Sequence, residues 1–267
     1  MQQILFQTEY FTISTFWLFF IAAFISSTII LVKLADEKGL KIQFLSENSF
    51  KLIITSIIVS RIFGILFNFQ TYFYEFSKET FLSIFYIWDK GFSFWALVFT
   101  FLIYFYKLCK KNEQEFFKWL DVFAPAIIFG IAIGNIGAFF EGINYGNETS
   151  LPWGVNFESP AIKYTVPIHP TQIYAFIYAI TLFAGAMMLS NYKRFKEKEF
   201  TGLLGLILCI AFFFLKFLEE FLRGDDMILL FDKIRLSQVL TLLATILFCI
   251  ILYIRYNKRA KDKEINK

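Results

Sequence analysis

Four ionisable side chains stand in or beside apolar stretches that have little reason to keep them, and two more bound a glycine-rich segment. Arg61 lies deep in one hydrophobic stretch, within Ser-Arg-Ile-Phe-Gly at 60–64. Lys216, Glu220 and Arg223 close another, spaced four and three residues apart, which stacks side chains along one face of a helix. Glu141 ends a third stretch, and His169, the only histidine, ends the segment after it. Ionisable groups in lipid are costly and by default mark a site. Arginine offers an anion such as phosphate a bidentate fork and lysine a point charge. A carboxylate or an imidazole offers a place for a proton. Plainer roles stand beside these. The 216–223 row is also what a self-satisfied ion ladder at the interface looks like. Arg61 is also accounted for by a pair with Glu141, Glu219 or Glu220, and a loop histidine before proline by a structural hydrogen bond.

The segment that links Glu141 to His169 is rich in glycine. It runs Gly-Asn-Ile-Gly-Ala-Phe-Phe-Glu-Gly-Ile-Asn-Tyr-Gly from Gly134 to Gly146, with glycines at 134, 137, 142 and 146. It continues into Leu-Pro-Trp-Gly-Val at 151–155, with Trp153 and Gly154, and into His-Pro-Thr-Gln-Ile-Tyr at 169–174. Glycines at this density suit a backbone that packs closely, bends, or approaches a ligand at a membrane surface.

The elements that must position these residues are helices in a bilayer. Of 267 residues, 57% are hydrophobic, and the mean hydropathy is +0.58. That composition predicts an all-α polytopic membrane protein. Seven stretches are about long enough to cross, at 13–32, 50–69, 81–106, 122–140, 173–189, 203–218 and 236–256. Asp89 and Lys90 interrupt the third, so its true span is expected over 91–106 or the whole stretch. The 33–49, 107–121 and 191–201 connections and the tail from Arg255 carry seventeen Lys and Arg, against six on the alternate side. Positive charge stays inside, which predicts an outer N-terminus, a cytoplasmic C-terminus and small outward loops at 141–169 and 219–235. The first dozen residues lack the features of a cleavable signal, so the first span is expected to remain. Residues 1–254 read as one membrane domain and 255–267 as a basic cytoplasmic tail. The three cysteines read as unpaired apolar fillers, and one histidine with scattered cysteines builds no metal site. Neither a soluble-cofactor motif nor a nucleic-acid partner is expected. The outward cluster of cations, carboxylate and open glycine backbone suits a phospholipid headgroup.

These motifs resemble the bacterial prolipoprotein diacylglyceryl transferase family. That family's signature reads Gly-Arg-x-Gly-Asn-Phe-x-Asn-x-Glu-x-x-Gly, and Gly134, Gly137, Phe139 and Gly146 fall on it. The 151–155 element matches throughout, and 169–174 in all but one exchange. Arg61 with Gly64 resembles a second-helix segment, and Glu220, Arg223 and Asp226 resemble the sixth-helix Glu-Phe-Phe-Arg-x-x-Asp. The chain departs from the pattern at Asn135 for Arg, Ala138 and Glu141 for Asn, Ile143 for Glu, Lys216 for Arg and Phe16 for Tyr. A His-Gly-Gly element falls on Trp-Ala-Leu at 95–97.

The resemblance implies transfer of a diacylglyceryl group from a phosphatidylglycerol-type phospholipid to the lipobox cysteine of a precursor protein. The place implied is the outer side of the bacterial cytoplasmic (inner) membrane. Arg61, Arg223, Lys216 and Asn135 are then the phospholipid-binding residues, and Glu220, His169 or Glu141 handles protons. The alternative is a non-catalytic paralogue that binds phospholipid or lipoprotein precursor. A transporter is disfavoured, since no internal repeat is visible.

Overall fold

The computed structural model describes residues 4–7, 12–67, 69, 73, 82, 84, 91–157, 162–190, 201–225, 229–230 and 234–265. Seven helices lie among them: α1 Thr15–Glu37, α2 Ile42–Phe67, α3 Phe94–Lys111, α4 Phe116–Glu141, α5 Thr171–Ser190, α6 Leu203–Glu219 and α7 Leu236–Ile265. Two short antiparallel pairs accompany them, β1 Ile4–Gln7 with β2 Thr12–Ser14 and β3 Leu229–Leu230 with β4 Ile234–Arg235. Each helix falls on one of the seven apolar stretches. Five of them, α1, α2, α4, α5 and α7, are long and apolar enough to cross a membrane. The chain is thus an all-α membrane protein. The third helix starts at Phe94, where Ser93 caps it by accepting the Ala96 N–H. Asp89 and Lys90 lie outside the described residues. The tail from Arg255 begins as a continuation of α7.

The chain divides into two compact units, one of Gly39–Phe116 and one of Met1–Lys38 with Phe117–Lys267. In the first, α2 and α3 are tied at Ser60 and Ser93. The Ser93 N–H donates to the Ser60 carbonyl at 3.0 Å, and the Ser60 hydroxyl donates to the Ser93 carbonyl at 2.8 Å. A side chain at Gly64 would run into the Gly91 carbonyl, so the two backbones meet at glycine on both sides. Phe44, Leu52, Phe105 and Leu108 fill the interior.

In the second unit, α4 packs on α1 along Gly130 and Gly137, seven residues and so two turns apart. A Cβ at Gly137 would meet Phe19 Cβ at 2.8 Å and the Phe16 carbonyl at 3.3 Å, and one at Gly130 would overlap the Ser27 hydroxyl. Lipid gives helices no hydrophobic reason to associate, so small residues that admit close backbone approach do that work. The same logic fills the seam of α4, α5 and α6 with Ala124, Ala132, Ala179 and Ala186 between Ile128, Leu204 and Leu208. At the start of α6 the buried Asp121 accepts from the Gly202 N–H at 2.8 Å and the Gly205 N–H at 2.7 Å, and pairs with Lys38 at 3.2 Å. Gly202 has φ +89, and a Cβ on Gly205 would lie 2.6 Å from the Leu120 carbonyl. The helix start is thereby clamped onto α4.

Candidate functional site

The glycine-rich segment turns sharply at the end of α4. Gly142, at φ +77, returns its N–H to the Ala138 carbonyl, and so does Ile143, which ends the helix with glycine in the left-handed region. Asn144 follows at φ +60, a conformation asparagine tolerates better than most residues. Two buried side chains at the start of α5 hold this turn. The Thr171 hydroxyl donates to the Asn144 carbonyl at 2.5 Å and the Gln172 amide to the Ile143 carbonyl at 2.7 Å. The His-Pro-Thr-Gln element thus fastens the glycine turn.

Beyond the turn, residues 145–147 run between two other backbone segments and pair with both. On one side the Gly146 N–H donates to the His169 carbonyl at 3.0 Å, and the His169 N–H to the Asn147 carbonyl at 2.9 Å. On the other, the Asn147 N–H donates to the Leu222 carbonyl at 2.8 Å, and the Gly224 N–H to the Tyr145 carbonyl at 3.0 Å. A Cβ on Gly146 would strike His169 and come within 2.9 Å of the Leu222 carbonyl; one on Gly224 would strike Gly146. Only glycine fits at either place. Gly154 is similarly enclosed, by Thr149, Pro167 and Leu151.

This arrangement changes the expected row of charges. The helix ends at Glu219, and Leu222 closes onto the Glu219 carbonyl, so Arg223 leaves the helix and forms an isolated antiparallel bridge with Gly146. Lys216, Glu220 and Arg223 still converge, but across a turn rather than along one helix face. Lys216 Nζ lies 2.6 Å from Glu219 Oε1 and 3.5 Å from Glu220 Oε1. Arg223 donates through Nη1 to Glu220 Oε1 at 3.4 Å, through Nη2 to Asn144 Oδ1 at 2.8 Å, and to both oxygens of Asp225. Tyr178 donates to Glu219 Oε2 at 2.7 Å.

Arg235, from β4, completes the cluster and was not singled out in the sequence. It donates through Nε to Glu220 Oε2 at 3.1 Å, through Nη2 to Asp225 Oδ1 at 2.7 Å, and through Nη1 to the carbonyls of Arg223 and Asp225. The Ser237 hydroxyl, in the first turn of α7, adds a 2.5 Å bond to Glu220 Oε2. Three cations therefore meet three carboxylates, and Glu220 at their centre is 1% exposed. Burial alone would push the Asp225 carboxyl up. The Arg223 hydrogen bonds and charge, then those of Arg235, outweigh it and hold Asp225 below its ordinary value. Burial works against the Arg223 cation too, but Asp225, Glu220 and Glu219 overcome it and hold its pKa above the ordinary one.

The other expected residues lie as follows. Glu141 is the last residue of α4, beside the turn. His169 Nδ1 is 3.1 Å from the Tyr174 hydroxyl, which accepts the Trp153 indole N–H at 2.9 Å. Trp153, Tyr174 and His169 are thus joined in one hydrogen-bonded row. Asn135 spends its amide on the Ile131 carbonyl of its own helix at 2.8 Å. Gly134 borders open space, whereas Gly137 packs on α1. Arg61, buried in the other unit, donates to the Ile84 carbonyl at 3.2 Å and lies over Phe92 at 5.3 Å. Asp226 lies outside the described residues. Among those described, no three His, Cys, Asp or Glu side chains converge as metal ligands would.

The comparisons with known proteins agree with the motifs. The model of the prolipoprotein diacylglyceryl transferase family matches residues 3–254. A phosphatidylglycerol–prolipoprotein diacylglyceryl transferase of Gloeobacter violaceus is 27% identical over 258 residues, 95% of this chain and 92% of that one. Its namesakes from Finegoldia magna and Ehrlichia canis are each 29% identical, over 86% and 84% of both chains respectively. With a family match over nearly its whole length, the chain belongs to the prolipoprotein diacylglyceryl transferase family.

Proposed function

We propose that the chain moves the diacylglyceryl group of phosphatidylglycerol to the thiol of a lipobox cysteine in a precursor protein. The observation that carries this reading is the buried cluster of three cations and three carboxylates where α6 ends, in a chain whose relatives bear that activity in their names. In the reaction the thiol sulfur bonds to the glyceryl carbon and that carbon's bond to the phosphate oxygen breaks. Glycerol phosphate leaves as an anion, and the thiol proton passes to a base.

Lys216 is the most open cation of the cluster, its side chain 24% exposed against 4% for Arg223 and 11% for Arg235. We assign it the phosphate, as a point charge. Arg223 assists from its Nη1 edge, where its bond to Glu220 is longest. Arg61 is assigned to phospholipid as well, on its burial within an apolar helix. Glu220 receives donors on both oxygens, so it orients the cations, and the thiol proton falls to Glu141 or His169. The pH–rate profiles of Glu141→Gln and His169→Gln separate those two. Seven crossings with an outer N-terminus and an outward site, in the bacterial inner membrane, are supported by the loop charge asymmetry and by a helix at every expected stretch. One membrane domain to residue 254 with a basic tail belongs to the same reading.

The test is transfer of labelled diacylglycerol from phosphatidylglycerol to a lipobox peptide by the purified protein. Thioether product that requires Lys216 supports the proposal; folded protein that makes none with any phospholipid overturns it. A second reading, a relative that binds phospholipid or precursor without turnover, draws on Asn135, whose amide is engaged within its own helix. Lipid binding without product would favour it.

A further inference from the structure

We propose that Arg235 is a positioning residue of this site, acting with Ser237 to aim Lys216 and Arg223 through the two carboxylates it grips. The inference rests on the transferase reading above and adds residues to it. The geometry is specific. A single guanidinium spans Glu220 Oε2 at 3.1 Å and Asp225 Oδ1 at 2.7 Å, and ties down the carbonyls of Arg223 at 3.2 Å and Asp225 at 3.0 Å. Those two carboxylates are the ones that hold Arg223, and Glu220 also lies against Lys216. Whatever sets Glu220 and Asp225 therefore sets both cations assigned to the phosphate.

Charge points the same way. Glu219, Glu220 and Asp225 are matched by Lys216, Arg223 and Arg235; without Arg235, three carboxylates would face two cations. The surplus negative charge would draw Lys216 and Arg223 inward and oppose an incoming phosphate. Arg235 itself has four of its five donors engaged by the protein, so it has little left for a substrate. It is fixed in turn by its place in β4 opposite Leu229 and by its own N–H on Gln238 Oε1 at 3.1 Å. Ser237 sits on the same Glu220 oxygen from the first turn of α7, where the helix end favours a carboxylate. The start of α7 thus reaches the phosphate site at one remove.

The experiment compares Arg235→Gln, Arg235→Lys and Ser237→Ala in the full-length protein, in nanodiscs containing phosphatidylglycerol, with activity counted per mole of folded protein. Arg235→Gln should lower kcat about 100-fold, the scale of a misaligned catalytic group. Lysine restores the charge but cannot grip both carboxylates, so Arg235→Lys should recover roughly tenfold of that loss. Ser237→Ala, which leaves the ion cluster whole, should cost about tenfold, the worth of one hydrogen bond to a charged group. A merely structural role would lower melting temperature and leave kcat of the folded fraction intact, and that result overturns the proposal. So does an Arg235→Gln variant with kcat and KM near wild type. If Arg235→Gln does not fold, Ser237→Ala decides alone. If wild-type protein makes no product, the transferase reading is what fails. Phosphatidylglycerol binding then decides for Arg235, since affinity unchanged in Arg235→Gln and Ser237→Ala overturns it and a loss in both supports it.

Discussion

The two ends of α6 handle buried carboxylates in opposite ways. At its start, Asp121 gives one oxygen to the Gly202 N–H and the other to the Gly205 N–H, with Lys38 alongside. At its end, Glu220 gives its oxygens to Lys216, Arg223, Arg235 and Ser237, all side chains. A carboxylate bound to backbone amides fastens two helices, because its partners cannot move without unfolding a turn. A carboxylate bound to other side chains holds groups that reorient, and that is what a site requires. Burial is similar at both ends; the identity of the partners is what differs, and under the proposed function it sets fastener apart from machinery.

Four measurements break or sharpen that division. Glu220→Gln keeps the side chain's shape and removes its charge, so transfer per mole of folded protein should fall about 100-fold or more. If it falls only with the melting temperature, the two ends are alike. Asp121→Ala should do the reverse, costing about 3 kcal/mol of stability by orphaning two amides and an ammonium while leaving kcat of the folded fraction unchanged. Gly146→Ala should lower stability by about 2 kcal/mol, as an overpacked position does. Gly134→Ala, which meets open space, should stay within about 0.5 kcal/mol, and equal effects at the two would mean the strand crossing is looser than described.

The smallest effect is in pH. Asp225 is held below its ordinary value of 3.8, so its contribution is complete above about pH 4 and is lost as pH falls through the folded value. Melting temperature in detergent should therefore drop as pH falls below about 4, and the drop should be shallower in Asp225→Asn. An equal slope in both proteins would remove Asp225 from the acid response.

The helices were legible because apolar length needs no partner to be read. Each of the seven lies on a stretch that hydropathy alone marks out. Gly137 and Gly146 turned out to be close-packing positions, whereas Gly134 borders open space, and the sequence does not say which glycine faces a neighbour. Glu220 and Arg223 stood out by spacing, yet their spacing suggested one helix face, and the turn at 220–222 was hidden. That turn is paired with the 145–147 segment, far away in sequence. Arg235 escaped notice because it read as an ordinary loop cation counted toward orientation; its one local signal was Ser237 and Gln238 at the entry of the apolar stretch at 236–256. Thr171 and Gln172 looked like part of a motif without a task. Their task appeared only when the carbonyls of Ile143 and Asn144 came into reach.

The segment at 145–147 also limits the order in which its hydrogen bonds can form during synthesis. Its two edges are claimed by residues made later, one by the segment ending at His169 and the other by residues 222–224. Until α6 has emerged and turned back, the second edge has no mate, and Asn144 has no Arg223 to receive. A nascent chain halted before α6 would thus leave the Asn147 N–H and the Tyr145 carbonyl without these partners. The turn after α4 is therefore finished only once residues 222–224 have been made and have folded back onto it.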